Sequence, residues 1–153
     1  MNIFEYDQKT AAETPFFVHW KGVDGRALYL PNADGSDNLD APIGVEIVGA
    51  YSAPGIKFRN KKAARIVINQ KKNGGKDLTE DELVRLVADS ADVNEGEIAD
   101  VCVGWRNFCD KDGPRKFNRD ELRNLLRRNP VFAEQTEAAH NEAANFLGNG
   151  SER

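Results

Sequence analysis

Few residues in this chain have the types and spacing for chemistry. His19 sits inside the apolar run FFVHW (Phe16–Trp20) and reads as a packed or edge residue. His140 lies in a stretch rich in Glu and Ala and is expected to face solvent. Cys102 and Cys109 are seven positions apart, which is neither a zinc spacing nor a disulfide framework. On one helix they would share a face, as two reduced, partly buried thiols. No nucleophile elbow and no HExxH occurs. Asn73-Gly74-Gly75-Lys76 places a lysine after glycines, but lacks the preceding strand and the following Ser or Thr of a phosphate loop.

The stretch CDKDGPRKFNRDEL (Cys109–Leu122) has the look of half a calcium loop. In such a loop Gly is sixth, an apolar residue eighth and a bidentate Glu twelfth. With Gly113 sixth, those positions fall so that Phe108 is first, Arg115 eighth and Arg119 twelfth. Arg119 puts a positive charge where the ion needs two oxygens. Only Asp110 and Asp112 fit, so the stretch reads as a turn that feeds a helix and not as a metal site. Taken together, these residues predict a protein that is not an enzyme and uses neither cofactor nor metal.

The elements around these residues follow from their punctuation. Phe16–Trp20, Ala27–Leu30 and Ile43–Gly49 read as three short strands, with Pro31–Pro42 a loop by composition. Ser52 with an early Pro opens a basic helix that runs to about Lys72, where Asn73-Gly74-Gly75 ends it. LTEDEL (Leu78–Leu83), VNEGEI (Val93–Ile98) and FNRDEL (Phe117–Leu122) share one grammar. A Thr or Asn cap is followed three residues on by Glu, with apolar residues flanking both, which is a capping box with a hydrophobic staple. Asn129-Pro130 is a further helix start. Four short helices are expected, near 79–90, 94–108, 118–128 and 130–147. The fold class is therefore α+β: a small N-terminal β-sheet, then a basic helix, then a bundle of four short α-helices. By organisation, 1–50 is a β-rich region, 51–147 a helical domain and 148–153 a flexible tail.

At 153 residues and 40% hydrophobic content the chain is long and apolar enough for one core. Its mean hydropathy is −0.61, and no apolar run reaches the length of a membrane span. The N-terminus lacks a basic-then-apolar signal, so a soluble, cytoplasmic protein is expected. Net charge is −4, but the signs are banded: residues 51–76 hold eight basic and no acidic side chains, and 77–101 hold nine acidic and one basic. Bands of this kind pair with one another or with a complementary partner.

Two surfaces qualify as binding sites. Leu122, Leu125 and Leu126 form one helix face, and Phe132, Ala139, Ala143 and Phe146 a stripe on the last helix. These faces either receive a foreign helix or pack on each other. On the basic helix, Lys57, Arg59, Lys61, Lys62 and Arg65 have the charge to neutralise phosphates. The acidic chain and the scarcity of interleaved aromatics, Phe58 alone, favour a solvated face paired with the acidic block.

From VGAYSAPGIKFRNKKAAR through VCVGWRNF and KFNRDELRNLL to NPVFAEQTEAAHNEAANFL, roughly residues 45–147, the chain resembles the tail assembly chaperones of long-tailed bacteriophages. The anchors of the resemblance are Gly104-Trp105, the helix start at Phe117, Gln135 and Asn145-Phe146. Asn118 stands where that family often carries Ser at the cap, and the first forty-five residues match more loosely. The resemblance implies binding of the long, helical, aggregation-prone tape measure protein before tail-tube subunits polymerise around it. It implies a protein of the host cytoplasm that is absent from the mature virion, and often a longer frameshifted form. Contact with tail-tube subunits and a homo-oligomer are compatible with it.

Overall fold

The computed structural model describes residues 2–73 and 78–146, with the backbone alone at 70, 73, 88–95, 143 and 144. The expected tail from Gly148, the stop at Gly74-Gly75 and the side chains of Gln70, Asn94 and Ala143 therefore lie outside the described residues. The chain enters through α1 (Gln8–Glu13), whose cap Asp7 accepts a hydrogen bond from the Thr10 N–H. It then makes β1 (Phe16–His19), β2 (Tyr29–Pro31), β3 (Asp37–Pro42) and β4 (Gly44–Ile47). Ser52, fully buried, caps α2 (Ala53–Asn73) by accepting from the Gly55 N–H while donating to the Gly49 carbonyl. After α3 (Glu80–Glu97) and a 3-10 turn at Ile98–Val101 come β5 (Cys102–Arg106), β6 (Cys109–Asp110) and β7 (Gly113–Pro114). The helices α4 (Arg119–Arg128) and α5 (Pro130–Asn141) follow, and a 3-10 turn at Ala143–Phe146 closes the described chain.

The fold is α+β. Its main sheet has the order β1-β4-β5, antiparallel throughout, with Val18 opposite Val45 and Val45 opposite Trp105. Gly44 is required at its centre, because a Cβ there would lie 1.9 Å from the Val18 carbonyl oxygen. The buried side of this sheet meets the 3-10 turn at Ile98, α4 and α5 in one core of Trp20, Val45, Ile47, Ile98, Leu122 and Leu126 with their neighbours.

Three expectations about elements are corrected. A helix over 94–108 is not formed. The backbone of α3 runs helical through the expected break at Asn94, and Cys102–Arg106 becomes a strand. The reason is tertiary: β4, with Val45 and Ile47 fully buried, is the central strand of the sheet and needs a hydrogen-bonding partner on the side away from β1, and CVGWR supplies it. The Pro31–Pro42 segment is not a loop throughout, since β3 pairs with β2 in a hairpin turned at Gly35 (φ +86°). The last helix ends at Asn141, not at 147. Glu142 is extended, the Asn145 side-chain amide donates to the Ala139 carbonyl at 2.9 Å, and Phe146 is thereby turned onto Phe16.

Two caps stand as expected. Thr79 Oγ1 accepts from the Glu82 N–H, and Asn118 Oδ1 from the Glu121 N–H. Pro130 occupies the first turn of α5.

Candidate functional site

The apolar faces read from the sequence divide into two groups. Leu122 and Leu126 are fully buried, and Phe146 is buried against Phe16 and Gly49. These side chains close the core and present nothing to a partner. Ala139 packs against the same core, half-buried. Leu125 and Phe132 are also half-buried, but they surface in a cleft of about 650 Å³. The structure thus seals one part of the predicted stripe and leaves the other beside an opening.

The cleft is built on a chain of aromatic rings. Trp20, which follows β1, stacks on Phe132 of α5 with ring centroids 4.5 Å apart and planes parallel within 1°. Its indole N–H donates to Thr136 Oγ1 at 3.0 Å, and that hydroxyl donates to the Phe132 carbonyl at 2.7 Å. A buried indole needs such a partner, and Thr136 one helical turn beyond Phe132 is placed to give it. Phe108 lies 5.4 Å from Trp20 and stacks on Trp105 at 4.5 Å. Trp105 is held in turn by its own N–H, which donates to the Arg115 carbonyl at 2.8 Å. Leu28, Leu30 and Ile43 complete the apolar wall.

Arg115, Asp110 and Glu121, on the rim of the cleft, are tied to one another. Arg115 donates to Asp110 at 2.8 Å and to Glu121 at 2.7 Å. The hydrogen bond from Arg115 holds the Asp110 carboxyl below its ordinary value. Asp110 also accepts from the Asp112 N–H, and Gly113 (φ +110°) turns the β6–β7 hairpin. The half-motif that resembles a calcium loop is therefore a hairpin whose carboxylate binds an arginine. Among the described residues no group of three or more His, Cys, Asp or Glu side chains converges to hold a metal.

Both histidines have structural roles. His140 is corrected: it is 2% exposed, not solvent-facing, because its Nδ1–H donates to the Val48 carbonyl at 2.7 Å and its ring meets Phe58 edge-on. Burial lowers its pKa below the ordinary 6.5. His19 donates from Nε2 to the Leu28 carbonyl. The cysteines do not share a helix face. Cys102 is buried on β5, where burial pushes its thiol up to about 12, and Cys109 is exposed on β6.

On α2, Lys61 pairs with Asp100 at 3.1 Å, Lys62 with Glu137 and Arg65 with Glu97. Asp100 also binds Arg123, and although burial alone would raise its carboxyl, the two cations outweigh this and hold it low. The basic band thus meets carboxylates of the acidic band and of α5. Among the described residues no carboxylate pairs with Lys57 or Arg59, and the Arg59 guanidinium lies 6.0 Å over the Tyr51 ring.

Sequence reasoning missed Trp20, Phe108 and Thr136 as makers of the cleft. Trp20 closes an apolar run and gives no local sign of a partner more than a hundred residues away. Among the described residues no helix is long and apolar enough to cross a membrane. No protein family, curated protein or solved structure matches the chain.

Proposed function

We propose that this chain is a non-catalytic tail assembly chaperone of a long-tailed bacteriophage, which binds the tape measure protein and keeps it soluble in the host cytoplasm. On this reading it leaves before the virion matures, and tail-tube subunits are further partners. The observation that carries the proposal is the aromatic cleft. An apolar opening of about 650 Å³ beside exposed Arg115, Glu121 and Arg128 suits the anchor residues of an amphipathic helix, with the charges steering its polar edges. The residues behind the resemblance have roles here. Trp105 lines the cleft, and Gln135 pairs with both backbone polar groups of Lys21, next to Trp20. Asn145 and Phe146 close the core behind α5.

Binding of nucleic acid by α2 is the weaker reading, since Lys61, Lys62 and Arg65 are spent on the chain's own carboxylates. The test is co-purification with a tape measure protein using the wild type and Leu125→Lys. Leu125 lines the cleft from α4 without joining the Trp20 stack. The variant should keep its far-UV circular dichroism and lose partner capture by roughly tenfold or more, as expected for a charge forced into an apolar contact. Undiminished capture by a folded Leu125→Lys would remove the cleft from the account.

A further inference from the structure

A second apolar surface lies on α2 and α3, away from the cleft. On α2, Ile66, Val67 and Ile68 are 59%, 49% and 49% exposed. Three consecutive residues sweep about 200° of a helix, so the bare surface at this level is more than a single stripe. The exposure continues down the helix, where a shallow hollow runs along Ile56, Asn60 and Ala64. On α3, Leu83, Val84 and Val87 are 47%, 62% and 67% exposed, and recur at the spacing of one helix face. Six large aliphatic side chains in two patches, one on each helix, are more than the scattered single residues usual on a monomer.

Charge identifies what covers them. Lys71 and Lys72 follow the α2 patch, and Glu80, Asp81 and Glu82 precede the α3 patch. All five are exposed, and among the described residues no ion pair joins the two sets within the chain. Charge and apolar patch are offset by about four residues, ~6 Å, on both helices. An antiparallel contact between α2 of one molecule and α3 of another therefore seats both at once: lysines on carboxylates, and Val67 and Ile68, one turn before Lys71 and Lys72, on Val84 and Val87. A two-fold axis makes the same contact twice, which roughly doubles the area toward the ~800 Å² per partner of a stable interface.

We infer that the α2–α3 surface is a self-association site whose partner is a second copy of this chain. This surface is independent of the cleft and of the chaperone reading. The test is analytical ultracentrifugation of the full chain and two charge-reversed variants, Lys71→Glu with Lys72→Glu and Glu80→Lys with Glu82→Lys. Far-UV circular dichroism checks that each is folded. The wild type should associate. Each variant alone should associate roughly tenfold or more weakly, because the facing ends of the two helices no longer carry opposite signs. A one-to-one mixture of the two should regain association, since each acidic helix finds a basic one. Leu125→Lys should self-associate like the wild type. The inference is overturned by a wild type that stays monomeric up to its solubility limit, or by folded reversed variants that associate unchanged or fail to complement. It is also overturned if the wild type is monomeric alone and the reversed variants lose only the capture of a helical protein, which would make that protein the occupant.

Discussion

Trp20 and Thr136 show how single residues set the cleft. Thr136→Val removes the oxygen that accepts the buried indole N–H, which leaves that donor unsatisfied. A loss of about 1–3 kcal/mol in a denaturant melt is expected. Trp20→Ala should cost about 3–5 kcal/mol, because it takes away the stack on Phe132 and leaves a void. His140 makes a prediction about pH. Its folded pKa lies below the unfolded value near 6.5, so the unfolded chain binds the proton first as pH falls. Stability should be intact above about pH 6.5 and decline below it. Denaturant midpoints at pH 7.5 and 5.5 should therefore differ more for the wild type than for His140→Gln. The thiols can be counted directly. Cys109 should react with a thiol reagent in the folded protein and Cys102 only after unfolding, since one is exposed and the other buried with a raised pKa. Equal reaction of both in the native state would contradict their placement.

Elements obey their caps, and strand partners override propensity. Asn118→Ala should destabilise by about 1 kcal/mol through loss of the bond to the Glu121 N–H. Gly44→Ala should be far worse, since its Cβ would lie 1.9 Å from backbone on β1 and force that strand away. Local signals made much of this readable in advance. Ser52, Thr79 and Asn118 were legible as caps, and Phe16–His19 and Gly44–Ile47 as strands, because side chain and backbone meet within a few residues. VNEGEI carries the same grammar, yet the backbone of α3 passes through it, and the helix expected after it is the strand β5. That outcome depends on β4, some fifty residues away, which no local pattern reports. The cleft was half legible for the same reason. Leu125 and Phe132 were found by helical periodicity, whereas Trp20 and Phe108 join them only through the fold.

At the scale of the whole molecule, the banded charges explain how the two halves of the chain are tied. Lys61, Arg65 and Arg123 gather around Glu97 and Asp100, where α2, the end of α3 and α4 converge. The core behind this network seals Leu122, Leu126 and Phe146, so these side chains offer no contact surface. The proposed chaperone reading uses the aromatic cleft, and the inferred self-association uses the patches on α2 and α3. The most direct measurement is co-expression of this chain with the tape measure protein, scored by the fraction of that protein that stays soluble and co-purifies. The account predicts a soluble complex with the wild type and an insoluble tape measure protein with folded Leu125→Lys. A tape measure protein that precipitates unbound in the presence of the folded wild type would contradict it.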